Sequence, residues 1–598
     1  MAIVSLSRVT LYGMAEQKDA VLHGLQDLGC VHLVDLSERG AVSRTGSDVS
    51  TETHQALRFL RACAIRRRPV RDPTAIRPND VVQEALKIEQ LQQQLLLLRD
   101  ELAAAVQTLE PWGDFHLPAE EEFGALRWWF YVIPHYRLRF LEGRGLVWQE
   151  VSRDHRFTWV VVISATEPAE MPVPRTQLDQ RPLSELRRRL ESVESELEEL
   201  HWQRVALTRW VDLIGRTIAF ADDQAAWRLA ARLAIDDRSV FAVQGWTPCR
   251  DLDRLRSFAA VHSVALTTES PRPGELPPTL LENSPLLEGG QDAVTFYMTP
   301  SYQAWDPSGV VFVSFSVFFA MIMADMGYAL VVGGLLLLLW RTLGRSAAGG
   351  RLRRLALATV TASIIYGGLI GSWFGRVPAA GSLLSHFHVI DAGDTALMMR
   401  ISMTIGVVHL SLANLVVAWR ARWSLRMLSS VGWMTALMGG LAFGFGKSGA
   451  EPQESLVRYG TWLLAAGLLL VAGFSSDRPL QTFSLRVHTG RLLDGFKALT
   501  NVSRAFGDVL SYLRLFALGL ASAQLAVTFN DLTDRASSIA GIGSGLAVLV
   551  VILGHGLNLT LGVMSGVIHG LRLNCIEFFG WGLPDEGYPF HPFSRKAT

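Results

Sequence analysis

Apolar positions recur at alternating three- and four-residue steps in two separated stretches of the chain. Ile88, Leu91, Leu95, Leu98, Leu102, Ala105 and Leu109 form the first. Leu183, Leu186, Leu190, Val193, Leu197 and Leu200, then Leu207, Val211, Ile214 and Ile218, form the second. Arg204 interrupts that second seam, and Glu194, Glu196, Glu198 and Glu199 crowd its outer face. A sustained 3.5-residue apolar repeat is the seam of supercoiled helices, so two of them predict a long antiparallel coiled coil with arms at 80–110 and 181–220. At about 1.5 Å per residue, arms of about 30 residues span roughly 45 Å. Between the arms, 126–133 and 157–164 read as strands around a helical piece at 136–141, a distal lobe over 111–180. Residues 7–36 read strand, helix, strand, and 239–268 repeat the pattern. They predict a proximal α/β lobe from 1–75 and 230–290. The expected fold is a two-lobed α/β dumb-bell over 1–300, followed by an all-α membrane domain over 301–598.

Beyond residue 300 the charges thin out. Apolar spans lie at about 309–340, 354–375, 399–418, 427–446, 458–474, 505–530 and 543–580. The first is too long for one crossing of a roughly 30 Å hydrocarbon core. Its polar midpoint, Asp325-Met326-Gly327, predicts two short legs folded as a hairpin. Arginines test that division. Arg341, Arg345, Arg351, Arg353 and Arg354 follow the first span, Arg420, Arg422 and Arg426 follow the third, and Arg478, Arg486, Arg491, Lys497 and Arg504 precede the sixth. With the hairpin counted as two crossings, all these basic loops fall on the side of the N-terminal half. Eight crossings with both termini cytoplasmic is the expected topology.

Composition sets limits. Lys+Arg and Asp+Glu number 56 each, giving a formal net charge of zero and no sign of nucleic-acid binding. The start of the chain has no long apolar run or cleavage site, so no signal peptide is expected. Cys30, Cys63, Cys249 and Cys575 are scattered without metal or redox spacing and read as reduced structural thiols. The nearest approach to a P-loop, Gly444-Phe445-Gly446-Lys447-Ser448, would need its first glycine at Leu441 and ends a membrane helix instead of following a strand. No HExxH, GxSxG or paired-Cys motif occurs, so no catalytic residue, cofactor or metal is expected, and the chain is not expected to be an enzyme alone.

Two features carry chemistry. Arg514 lies within an otherwise apolar span, 511–527, with no acidic residue three or four positions away. A charge at that depth costs several kcal/mol, and Arg does not shed its proton, so it must face a polar path or a charged partner. In the last span His555, Asn558, Gly562, Ser565, His569 and Arg572 follow at steps of 3, 4, 3, 4 and 3, one helix face made of polar and small residues. Small residues also serve helix packing, and a terminal arginine can snorkel. Two histidines, an asparagine and an arginine in register favour an ion path. Asp494, Asn501 and Asp508 approach Arg514 at seven-residue steps, followed by Tyr512, with Gln524 further along. Asp508 and Arg514, six apart, do not share a face. Glu577 either lines an entrance or sits at the interface. Asp325 reads as a structural turn carboxylate, and His409 and Asn414 as packing groups.

With those residues in view, the chain resembles the membrane stator subunit of V-type and A-type rotary ATPases, called subunit a or subunit I, in its bacterial and archaeal form. The resemblance runs over nearly the whole chain. Its strongest pieces are Ser511-Tyr512-Leu513-Arg514-Leu515, 521–525, His569-Gly570-Leu571-Arg572-Leu573-Asn574 with Glu577-Phe578-Phe579, and 588–593. Gly245-Trp246-Thr247-Pro248, 277–280 and 300–307 add to them. It implies that the soluble half lies along the stator, meeting peripheral-stalk subunits and a soluble ATPase head. It also implies that the membrane half, in a prokaryotic plasma membrane, abuts a rotating ring of carboxylate-bearing subunits. Arg514 and Arg572 would be the paired arginines at that ring, between two offset half-channels. Asp494, Asp508, Tyr512, Gln524, His555, Asn558, Ser565, His569 and Glu577 would line them. A guanidinium near a ring carboxylate favours its charged form, so the ion leaves. The proton is the expected ion, although the ligands that choose between H⁺ and Na⁺ would sit largely on the ring. The chain departs from the pattern at Ala324 and Ala329, where glycines are common, at Ser522, where some relatives have histidine, and at Gly562, where some have glutamate. A secondary transporter with a regulatory domain would show internal repeats, which are not seen. A signalling receptor would not need the arginines or the stripe.

Overall fold

The computed structural model describes residues 2–36, 51–70, 76–116, 124, 126–141, 145–168, 171–379, 381–448, 452–476, 478, 485–583 and 585–596. Residues 37–50, 71–75 and 117–123, which the expected lobes include, lie outside the described residues. The chain divides into two compact units. One comprises 1–10, 245–256 and 266–591, the other 11–244, 257–265 and 592–598.

The first elements are β1 (Leu6–Met14), α1 (Lys18–Leu28), β2 (His32–Val34), α2 (Thr51–Arg61) and α3 (Pro78–Leu109). After these come β3 (Arg127–Pro134), β4 (Val147–Arg153), β5 (Phe157–Ser164), α4 (Leu183–Leu207) and α5 (Val211–Leu233). Then follow β6 (Ile235–Asp237), β7 (Val240–Pro248), α6 (Leu252–Val261) and β8 (Ala265–Glu269). The larger sheet has the order β2–β7–β1–β8, with β6 paired to β7, and the smaller has the order β3–β5–β4. Both strands read from the sequence between the arms are present, pairing antiparallel from Arg127–Ser164 to Pro134–Phe157. β4 was not expected. It is an edge strand, none of whose side chains is fully buried, so its sequence lacks a clean apolar alternation.

α3 and α4 pack through the predicted positions. Leu102, Leu109, Leu183, Leu186 and Val193 are buried together, with Leu95, Leu98, Leu190 and Leu197 against them. The end of α3 and the start of α4 share this cluster, so the two helices run antiparallel. The second seam is not one helix, because a 3₁₀ turn at Thr208–Trp210 separates α4 from α5. Val211, Ile214 and Ile218 instead join Val81, Val82 and Ala85 of α3 and Leu57 and Leu60 of α2. Arg204, the polar interruption, ends there: its Nη2 donates to the Phe59 carbonyl at 2.6 Å and its guanidinium lies 4.0 Å above the Phe59 ring.

The other unit is helical: α7 (Glu288–Tyr297), α8 (Ser308–Met323), α9 (Met326–Leu338), α10 (Trp340–Leu343), α11 (Ala347–Ile370), α12 (Thr395–Arg420), α13 (Arg426–Lys447) and α14 (Glu454–Phe474) come first. α15 (Leu485–Leu499), α16 (Asn501–Ser511), α17 (Leu513–Ser537), α18 (Gly543–Arg572) and α19 (Phe579–Gly582) complete it. Five stretches among the described residues are long and apolar enough to cross a membrane: 395–420, 426–447, 454–474, 487–537 and 543–582. α8 and α9 are shorter apolar helices.

The long first span does break at Asp325. Ala324 takes a left-handed φ of +46°, a conformation L-residues visit rarely, and Asp325 caps α9 by accepting from the Tyr328 amide at 3.0 Å. The chain reverses there. In α8, Ser316 faces Thr359 of α11 at 3.4 Å. In α9, a β-carbon at Gly333 would lie 3.1 Å from Val360, while one at Gly367 would meet the Met326 amide at 2.4 Å. The two legs thus pass the same turn of α11 in opposite directions. α13 and α14 approach as closely, and at several positions. A β-carbon at Gly439 would fall 2.4 Å from the Leu464 amide nitrogen, one at Gly460 2.5 Å from that of Phe443, and one at Gly467 2.5 Å from that of Ala436.

Candidate functional site

Arg514 is the second residue of α17 and is half-buried; its Nη1 is buried with no hydrogen-bond partner among the described residues. Nδ1 of His569 and Oε2 of Glu577 are among the other buried atoms without a partner there. All three belong to one neighbourhood, because the charges of Arg514 and Arg572 both act on His569 and on Glu577. Native proteins satisfy the great majority of buried polar atoms, so orphan atoms of three ionisable residues in one neighbourhood make it a candidate site.

Glu577 was open in the sequence reading between a channel entrance and the interface. It is 3 % exposed, well inside the helical unit. The reason is local: residues Leu573–Phe578, directly after Arg572, form a π-helix. Bonding from i to i+5 widens the turn, which is rare and concentrated at functional sites, and makes residues five apart neighbours. The spacing of five was visible in the sequence, but nothing local marks a π-turn.

The acids on the approach have partners of their own. Asp508 accepts from Trp581 Nε1 at 2.7 Å and faces Arg504 at 3.5 Å. Asp494 accepts from the Ser476 hydroxyl at 2.7 Å and pairs with Arg478 at 3.3 Å. Tyr512 is fully buried, its hydroxyl 2.8 Å from Nδ1 of His409. His409 in turn stacks on Phe578, with ring centroids 4.3 Å apart and planes 6° from parallel. His409 is therefore a packing group with one specific bond, and Asn414 satisfies its amide on the Leu410 carbonyl at 3.0 Å.

A second cluster forms on the far half of the stripe. Tyr328 of α9 places its hydroxyl 2.7 Å from His555 Nδ1, and Asn558 Nδ2 donates to that same oxygen at 3.0 Å. Asn558, 1 % exposed, also donates to the Ser522 carbonyl at 2.9 Å and accepts from the Ser522 hydroxyl at 3.3 Å. Asp325 supports this network from below. It accepts from Ser372 Oγ at 2.6 Å and from the amides of Phe374 and Gly375 at 3.0 and 2.9 Å, and so acts as a structural turn carboxylate. Tyr328 is the third residue of α9, just past the Asp325 turn. Its partners lie more than 220 residues away, where no spacing rule reaches. Ser565 is half-buried on α18 between Asn558 and His569.

Gln524 stands apart from both clusters. It is exposed and lines a cleft of about 300 Å³ with Gly519, Leu520 and Ala523 of α17, and with Arg376, His388 and Asp391 from the 371–394 connection. Those last three sit in a connection without periodicity, where no spacing rule singles them out.

No protein-family profile matches the chain. Among curated proteins, V-type ATP synthase subunit I of Chlamydia trachomatis is 30% identical over 419 residues, 60% of this chain and 62% of that protein. The match thus spans less than two thirds of that relative. V-type ATP synthase subunit I of Borreliella burgdorferi is 22% identical over 622 residues, 99% of each chain. A-type ATP synthase subunit I of Methanocaldococcus jannaschii is 25% identical over 456 residues, 69% of this chain and 64% of that protein. A crystal structure of the cytoplasmic N-terminal domain of subunit I, homolog of subunit a, of V-ATPase covers 44% of this chain at 14% identity with a TM-score of 0.21, too slight to describe the fold. The relatives of this chain are bacterial and archaeal V-type and A-type ATP synthase subunits I, as its motifs implied.

Proposed function

We propose that this chain is the ion-translocating stator subunit of a V/A-type rotary ATPase, a non-catalytic membrane subunit that couples ion flow, most simply of protons, to ATP synthesis or hydrolysis. The observation that carries this reading is the buried, unpartnered Nη1 of Arg514 beside the orphan atoms of His569 and Glu577. A rotor-ring carboxylate arriving there would satisfy the guanidinium transiently, be held ionised by it, and release its ion. Arg572, exposed at the end of the stripe, would present a second cation to the ring. A positive barrier between two half-channels also blocks direct leakage, so each ion must ride the ring round.

In this reading Glu577, Asp508 and Asp494 belong to the cytoplasmic approach. Ser565, His569, Asn558, His555 and Gln524, with the cleft beside α17, belong to the other. Tyr512, its hydroxyl engaged by His409, supports the floor of the site. The five long spans, the two short legs α8 and α9, and α11 together make eight crossings with both termini cytoplasmic. The packed pair α3 and α4 joins two lobes as a strut toward peripheral-stalk subunits and the ATPase head. A self-contained secondary transporter is not favoured, since the relatives described above are ATP synthase subunits.

The test is Arg514→Ala in the intact complex, with ion-coupled ATP synthesis or pumping measured in membrane vesicles. Coupled transport is expected to vanish while ring and nucleotide-binding subunits still co-purify. Unchanged coupled transport, or a chain that purifies without any ring subunit, would overturn the proposal.

A further inference from the structure

α16 and α17 are not one continuous helix. They meet at Tyr512, which closes the first and opens the second, and Arg514 lies two residues beyond that joint. A side chain so close to a helix break takes its direction from whatever holds the break in place.

Tyr512 holds it against α12. Its ring lies on the α12 backbone at Gly406, where a β-carbon would fall 2.7 Å from Cγ and from Cδ2 of the tyrosine. Only glycine leaves room for that approach. Phe318 of α8 packs edge-on to the same ring, with centroids 5.8 Å apart and planes at 78°. In this apolar setting the fully buried Tyr512 hydroxyl meets Nδ1 of His409 at 2.8 Å.

His409 also touches the other half of the site. Its ring stacks on Phe578, with centroids 4.3 Å apart, and Phe578 ends the π-helix that carries Glu577. Phe318 closes a further side at 5.1 Å and 81°. The imidazole is 5 % exposed, and its Nε2 has no partner among the described residues, so the Nδ1 contact is the polar bond that orients the ring. One side chain is thus bonded at its edge to the residue two places before Arg514 and stacked by its face on the residue after Glu577. The two ends belong to one neighbourhood, since the charge of Glu577 acts on Tyr512 and that of Arg514 acts on Glu577.

We propose that His409 is a positioning residue: by joining Tyr512 to Phe578 it fixes the spacing of Arg514 and Glu577 that a passing rotor-ring carboxylate meets. This inference rests on the ion-translocation reading above. A buried pair that served stability alone would be replaceable, because exchanging both partners for apolar groups of similar shape can be nearly neutral. A pair that places a guanidinium is not replaceable in that way.

The test compares His409→Phe, Tyr512→Phe and the double variant in the intact complex. Coupled transport in membrane vesicles and the thermal transition are measured on the same preparations. Each single variant strands one buried polar group and is expected to melt earlier. Each is also expected to lose coupled transport by about 10- to 100-fold, the scale of a misplacement of up to about 1 Å. The double variant strands neither group. It is expected to melt near the wild type yet to transport as poorly as either single variant, because the link to the helix joint is still missing. His409→Asn, whose amide reaches the position of Nδ1, is expected to transport better than His409→Phe. A double variant that regains wild-type transport together with its stability would overturn the proposal and leave the pair a structural one. So would losses that multiply in the double variant, since His409 and Tyr512 would then act separately. Arg514→Ala keeps the two claims apart. If it abolishes coupled transport while the double variant transports normally, the positioning role fails and the ion-translocation reading stands. If Arg514→Ala transports normally, that reading falls and this inference with it.

Discussion

The Tyr328 hydroxyl lies 2.7 Å from Nδ1 of His555, a contact between residues 227 positions apart. Its direction follows from the neighbours. The Ser522 carbonyl can only accept, so the Asn558 side chain must present its NH₂ there, and that group's second proton goes to the Tyr328 oxygen. Tyr328 is left with one proton of its own, which it gives to His555. A neutral His555 then carries its proton on Nε2. The tautomer of a histidine on the polar stripe of α18 is thus set by a residue on the Asp325 hairpin.

Tyr328→Phe removes the one group that satisfies both neighbours. Asn558, 1 % exposed, would keep a donor without a partner, which costs about 1–3 kcal/mol. We expect a lower thermal transition for the detergent-solubilised complex and reduced coupled transport, with Arg514 chemistry otherwise intact. A Phe variant as stable as wild type would mean that water or rotation of Asn558 replaces the bond.

The glycines of α13 give opposite predictions at adjacent positions. Gly439→Ala would press a β-carbon onto the Leu464 amide at 2.4 Å and the Gly460 carbonyl at 2.9 Å, backbone atoms that yield only if the helices separate. The expected cost is about 1–3 kcal/mol or more. Gly440→Ala meets nothing within 4 Å and should stabilise by up to about 1 kcal/mol through helix propensity alone. Equal thermal shifts for the two variants would contradict the close approach of α13 and α14.

How much was legible in the sequence divides along physical lines. The apolar packing of α3 on α4 and the common face of His555, Asn558 and His569 follow from periodicity, because one helix fixes which of its residues are neighbours, and the break at Asp325 follows from a span too long for one crossing with a polar midpoint. The α5 positions Val211, Ile214 and Ile218 kept the period of the arm but belong to another cluster, since periodicity cannot register a 3₁₀ turn that redirects the helix. Ala324 shows a different limit. The family pattern suggested a glycine, and the left-handed φ of +46° shows why, yet alanine occupies the position with its methyl packed by Ile370 and Met398. Edge strand β4, the π-turn after Arg572 and the Tyr328 network depend on tertiary neighbours and left no local trace.

Asp154 offers a pH-dependent prediction in the three-stranded sheet. Its carboxylate accepts from the amides of Arg156 and Phe157 at 2.6 and 2.7 Å, and these two backbone bonds hold its pKa below the ordinary carboxylate value of 3.8. A depressed pKa means that the turn is stabilised above the ordinary value and loses that support as pH falls through the lower, folded value. Hydrogen exchange of the 153–158 turn, corrected for intrinsic rates, should accelerate in that acid window. Asp154→Asn should abolish the pH dependence, and a variant with the same acid profile as wild type would rule the carboxylate out.

Glu577 tests whether the charge beside Arg514 is part of the machinery or only its scaffold. The π-turn at Leu573–Phe578 brings this carboxylate inward within the field of both Arg514 and Arg572, yet leaves Oε2 without a partner. A π-turn is strained relative to an α-turn and persists only where surrounding contacts hold it. Glu577→Gln preserves shape and hydrogen-bonding capacity while removing the charge. We expect the complex to assemble with an unaltered thermal transition while coupled transport falls about tenfold, equivalent to roughly 1.4 kcal/mol in a rate-limiting transfer. Glu577→Asp, with the charge set back by one methylene, should fall between the two. If Glu577→Gln transports at the wild-type rate but melts earlier, Glu577 serves packing alone, and the cytoplasmic approach must run through Asp508 without it.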